Sequence, residues 1–347
     1  MPLAACGGMT SAMKPVIYGL AGPELTADET AFFREAEPVG FILFKRNITD
    51  RAQLRRLTDG LRDLTGRENL PILIDQEGGR VTRMGPPEWP AWPAGPRFSA
   101  LYDKAPISAI EAARVNAQAL AMMLSEAGVT VDCLPLLDVA GPETTPAIAE
   151  RAYGEEPMQV AALGRAVLEG LAAGGVAGVV KHMPGHGRAR VDSHHELPRV
   201  SADRTTLETD FAPFRALNSA SMGMTCHVVF EAYDAERPAT LSPVVIEEVI
   251  RGAIGFDGLL MTDDIDMKAL SGTAGEKAAA AIAAGCDVAL DCWGRMDEMV
   301  EIAGRLGEMG PASRDRLERA VAGLGAGRIE ADAAELAAKR DALLALA

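Results

Sequence analysis

The 347-residue chain carries 34 basic and 49 acidic side chains, a formal net charge of −15, and 48% of its residues are hydrophobic. That apolar fraction supports a large core and excludes general disorder. The acidic excess argues against nucleic acid, whose backbone must be neutralised by Lys and Arg, and no apolar run approaches the about 20 residues of a membrane-spanning helix. A small, neutral partner fits better. The five cysteines (Cys6, Cys133, Cys226, Cys286, Cys292) are scattered without a CxxC pair, as expected of a reducing cytoplasm. Leu3-Ala4-Ala5-Cys6 superficially resembles a lipoprotein processing site but lacks the basic and apolar regions that must precede one. The functional start is expected at Met9 or Met13.

Eight short apolar runs follow in chain order: Pro15–Leu20, Gly40–Phe44, Pro71–Asp75, Val129–Asp138, Val176–His182, Ser221–His227, Gly258–Asp264 and Cys286–Asp291. Continuous runs, rather than alternating ones, suit parallel strands buried on both faces. Helical patterns lie between them, such as Ala112–Glu126 and Gln159–Ala173, the latter stopping at Gly174-Gly175. The repetition predicts a single (β/α)8 barrel, with a doubly wound sheet as the alternative. Residues 1–14 are expected to form an irregular N-terminal segment and 15–347 one domain. Helices in Pro311–Ala347 should pack on its outside.

Most runs end in a polar residue: Lys45-Arg46, Asp75, Asp138, Lys181-His182, His227, Asp263 and Asp291. In a barrel these converge on the C-terminal rim, where active sites are built. Single acids there serve as helix caps, and capping is the expected role of Asp264, but a ring of such residues points to a site. His182, His186, His194 and His195 fall in one stretch, HMPGHGRARVDSHH. Pro184 and Gly185 interrupt any helix that would align His182 with His186 for a metal, so no metal is assigned. His186 is expected to tie down its loop and His195 to face solvent. No G-x-S-x-G elbow is present, and Cys226 and His227 are consecutive, so on a strand they face opposite ways. Carboxylate chemistry remains. Asp263 ends a strand and is delivered rigidly to the rim. Asp192 stands two residues before His194, which in an extended loop places both on one side. That spacing fits either a tuned acid/base pair or a turn cap.

With these residues in place the chain resembles the bacterial, single-domain β-N-acetylhexosaminidases of glycoside hydrolase family 3. The segments that carry the resemblance are GFILFKRN (40–47), LIDQEGGRVTR (73–83), PLLDV (135–139), IAERAYGEEP (148–157), KHMPGHG (181–187), DSHHELP (192–198), CHVVF (226–230), RPATLSP (237–243) and GFDGLLMTDDIDM (255–267). The resemblance implies Asp263 as nucleophile, His194 as general acid/base and Asp192 as its partner. It implies Asp75, Arg83, Arg151, Lys181 and His182 as sugar-binding residues; no cofactor is expected, and no protein partner is inferable from the sequence. The substrate it implies is GlcNAc linked to 1,6-anhydro-N-acetylmuramic acid, cleaved with retention in the cytoplasm during peptidoglycan recycling. Met183 and Ala149 stand where the family often has Phe and Gly. Ile265-Asp266 replaces the commoner Leu-Ser, and Asp266 is expected to face away from Asp263. The alternatives are a β-GlcNAc phosphorylase using the same site, a metal-dependent barrel hydrolase, and a catalytically silent sugar-binding module.

Overall fold

The structure is a computed structural model that describes residues 13–325 and 327–347. Cys6, Met9 and the rest of the expected N-terminal segment up to residue 12 lie outside the described residues. Ten strands follow in chain order: β1 (Lys14–Gly19), β2 (Pro38–Leu43), β3 (Ile72–Ile74), β4 (Val131–Asp132), β5 (Ala177–Met183), β6 (Arg199–Val200), β7 (Met222–Thr225), β8 (Val229–Phe230), β9 (Leu259–Asp264) and β10 (Val288–Asp291). Eight of them close a parallel barrel in the order β1-β2-β3-β4-β5-β7-β9-β10, and each coincides with one of the eight apolar runs. The single barrel therefore stands and the doubly wound sheet falls. β6 and β8 form a separate two-stranded parallel sheet at the rim. In the run at 129–138 the strand itself covers only Val131–Asp132; Pro135 has no N–H to give the ladder, and beyond it a lone bridge joins Leu136 to Lys181.

Side chains alternate along the strands. Ile17, Leu73, Val179, Met222, Leu259 and Leu290 fill the barrel interior. Val16, Tyr18, Phe41, Ile72 and Ala289 point outward to the helices. Those helices start where the sequence caps them. Thr26 and Glu29 form a capping box for Ala27–Ala36, and Thr273 and Glu276 do the same for Ala274–Ala284. Gly175, at φ 90°, closes Pro157–Gly174 in the left-handed conformation, as the Gly174-Gly175 stop predicts.

The C-terminal helices divide their roles. Ala333–Leu344 lies on the outside, where Arg340 donates to Asn116 at 3.2 Å. Pro311–Ala322 instead places Leu317 and Ala320 in one cluster with Met13, Met309 and the barrel interior. It closes the N-terminal end of the barrel rather than merely packing on its side.

Candidate active site

A cavity of about 470 Å³ opens at the C-terminal rim. Its walls include Asp75, Arg83, Arg151, Lys181, His182, Asp192, His194 and Asp263, so every residue to which the resemblance gives a role lines one space.

One wall is a network of buried charges. Asp75 follows β3 and accepts from Lys181 Nζ at 3.0 Å and from Arg83 Nη2 at 3.0 Å. Glu77, two residues on, binds Arg151 through both oxygens at 2.7 and 2.8 Å and meets Lys181 at 2.7 Å. Burial opposes the ionisation of both carboxylates, but the adjacent cations outweigh it. Lys181 and Arg83 hold Asp75 well below the usual range, and Arg151 and Lys181 bring Glu77 down to about 2. The same pairing keeps Lys181 protonated although its side chain is 2% exposed. Local folding explains the placement. Gln76 accepts the N–H groups of Arg83 and Met84 at 2.9 and 3.0 Å, so the loop after β3 closes on itself. Gly78, at φ 95°, lies so near Pro93 that a Cβ would sit 2.3 Å from its carbonyl oxygen. Arg83 Nε, itself buried, finds no hydrogen-bond partner among the described residues.

Glu77 carries no role in the sequence reading, yet it organises this wall. Asp138, placed on the rim by the sequence without an individual role, is the second organising residue. Its Oδ2 lies 2.7 Å from His182 Nδ1, and its Oδ1 accepts the N–H groups of His182 and His186 at 3.2 and 2.7 Å. That directs His182 Nε2 away from Asp138. Burial drives His186 down to about 4, so its imidazole is neutral at pH 7. Its Nε2, 3.4 Å from Ser193 Oγ, ties the loop as expected.

The opposite wall is a turn. Asp192 Oδ1 accepts both the N–H of His194 at 3.0 Å and its Nδ1 at 2.7 Å. The segment is an Asx-type turn rather than an extended loop, so one oxygen caps the turn and orients the ring. Burial works against the Asp192 carboxylate, but the His194 backbone and ring outweigh it and lower its pKa. The His194 side chain is 62% exposed. His195 is exposed at the cavity mouth.

Asp263 stands at the end of β9, half-buried, and accepts the N–H of Asp264 at 2.8 Å. Asp264 caps the turn that follows, accepting the Asp266 N–H at 3.1 Å, rather than the next helix, whose cap is Thr273. Burial, with Asp263 and Asp266 nearby, raises Asp264 to about 6. His227 is fully buried, bonded to Thr240 and to the Asp264 carbonyl, and so supports the strand end instead of facing the cavity. Asp266 pairs with Arg295 at 2.6 Å, turned from Asp263 as expected. Ala149 sits in the one-turn helix Pro146–Ala149 with an ordinary φ, so the loop before Arg151 does not need a glycine there. Among the described residues no three His, Cys, Asp or Glu side chains converge as a metal cage.

Residues 20–323 match the glycosyl hydrolase family 3 N-terminal domain. A β-hexosaminidase of Bordetella avium is 37% identical over 88% of this chain and 87% of its own length. One from Alkalilimnicola ehrlichii is 38% identical over 80% of each. The fold also matches NagZ from Neisseria gonorrhoeae, solved with N-trifluoroacetyl-D-glucosamine (TM-score 0.84, 31% identity, 97% of this chain and 98% of that one). The same enzyme has been solved in complex with zinc ion. The chain thus belongs to glycosyl hydrolase family 3, as a member of the β-hexosaminidase type.

Proposed function

We propose that the chain is a retaining exo-β-N-acetylglucosaminidase that removes a terminal, non-reducing GlcNAc by double displacement. The observation that carries this is the meeting of Asp263, on a rigid strand end, with the Asp192–His194 pair across one cavity whose other wall is held by the Asp75/Glu77/Lys181/Arg151 network. The Asp263 carboxylate attacks the anomeric carbon while His194 Nε2 gives its proton to the leaving oxygen, so the glycosidic bond breaks as the glycosyl–enzyme bond forms. His194, now neutral, takes a proton from water. That water attacks the same carbon and frees Asp263. Asp192 holds the proton on Nδ1 and so reserves Nε2 for this exchange. Asp75, Arg83, Arg151, Lys181 and His182 bind the hydroxyls and acetamido group of the sugar. The turn bearing the acid/base swings inward when sugar is bound.

The substrate is GlcNAc linked to 1,6-anhydro-N-acetylmuramic acid, met in the cytoplasm during recycling of cell-wall fragments. No helix of the described residues is long and apolar enough to cross a membrane, and the four described cysteines are free and buried. NMR of the first-formed sugar tests the mechanism: the β-anomer is expected, and an initial α-anomer sinks it. The same spectra recorded with inorganic phosphate separate hydrolysis from formation of the sugar phosphate.

A further inference from the structure

A ladder of guanidinium groups and aromatic rings runs from the cavity out to solvent. Arg83, bound to Asp75, lies 5.2 Å from the Phe44 ring. Arg46 lies 4.9 Å from that ring and 5.8 Å from the ring of Trp293. Arg295 stands 5.4 Å from Trp293 on the solvent side and pairs with Asp266. The inner members, Arg83 and Phe44, line the cavity, and so does Cys292, the neighbour of Trp293. Trp293 itself is 50% exposed.

That exposure is held on a fixed backbone. Arg46 donates to the carbonyls of Leu20 and Cys292, and Asn47 donates to those of Leu20 and Gly22, which binds the loop after β10 to the loop after β1. Gly294, at φ 67°, runs so close to Leu20 that a Cβ would lie 2.5 Å from its carbonyl carbon. A large ring placed rigidly beside a ligand cavity and left half uncovered forfeits the burial that ordinarily stabilises tryptophan. Its position marks it for a partner outside the chain.

We propose that Trp293 is a specificity-determining residue, the ledge on which the first ring of the leaving group rests. This builds on the reading of the cavity as a GlcNAc site. A pyranose presents an apolar C–H face that suits an aromatic surface, whereas a small alkyl leaving group does not extend to the ledge. The indole follows β10, which pairs with β9 through Leu290 and Asp264, so it stands on the rim beside the strand end that carries Asp263.

The test compares two glycosides that share the terminal sugar: N,N′-diacetylchitobiose, whose leaving group is a pyranose, and methyl β-GlcNAc. Trp293→Ala is expected to lower kcat/KM for the disaccharide about tenfold more than for the methyl glycoside, and Trp293→Phe to recover most of that loss. Equal changes on both substrates, or none on either, would overturn the ledge. A wild-type chain inactive on both glycosides would instead bring down the glycosidase reading beneath it.

Discussion

The two walls of the cavity hold their charges in opposite ways. On one, Asp75, Glu77, Lys181 and Arg151 are buried, cross-linked and anchored to β3, β5 and their loops. On the other, Asp192 and His194 share one oxygen on an open turn. The first arrangement suits groups that must be in position before the substrate arrives, since buried ion pairs do not reorganise cheaply. The second suits a group that must exchange protons with a leaving sugar and then with water. Under the proposed mechanism, binding is built rigid and proton transfer loose.

Removing the keystone of the buried wall should show the largest effect. Glu77→Ala strands Arg151 and Lys181 without their shared carboxylate, so unfolding should become easier by about 3–5 kcal/mol. KM for GlcNAc substrates should rise at least about tenfold. Unchanged denaturant midpoints would show that the network is dispensable.

Asp291 sharpens the contrast, because it too ends a barrel strand but forms no ion pair among the described residues. Burial, then the charges of Asp264 and Glu298, raise its carboxyl to about 7. The folded pKa is above the unfolded one, so this group favours folding at low pH and costs stability as pH rises from about 4 through 7. Asp291→Asn should gain roughly 3–4 kcal/mol over the wild type at pH 8 and little at pH 4. A gain of equal size at both would mean that the carboxyl does not titrate in that window. Glu77 runs the other way: its lowered pKa stabilises the fold above about 4.5 and fails only as pH drops toward 2.

The exposed wall should be sensitive in rate rather than in stability. Asp192→Ala should cut kcat/KM roughly 100-fold while moving unfolding by less than about 1 kcal/mol. A loss confined to stability would break the division between the walls.

The barrel was legible because its strands are covered on both faces and leave unbroken apolar runs, whose polar ends mark one rim. Gly174-Gly175 and the Thr-x-x-Glu boxes are equally local signals. Glu77 was not legible: it lies beyond the end of β3, in a loop where alternation no longer assigns a direction. Its partners Arg151 and Lys181 are 74 and 104 residues away in sequence, separations that only closure of the barrel brings together. Asp138 and His182, 44 residues apart, pose the same problem. Two-residue strands such as β6 and β8 leave no period to read. The Asp192–His194 spacing was informative, but its geometry follows from the side chain capping its own turn, which spacing alone leaves open.

Leu317 and Ala320, seated with Met13 and Met309 against the barrel interior, make the vessel blind-ended. Among the described residues, the cavity opens at the C-terminal rim, the end that substrate and product would share. In a double displacement the severed sugar therefore stands in the path of the incoming water, and departure must precede the second attack. A leaving group that lingers in the doorway can be joined back to the GlcNAc it has just lost. Under the proposed mechanism, the timing of the reaction would in that sense follow from the closed end of the barrel, far from the groups that carry it out.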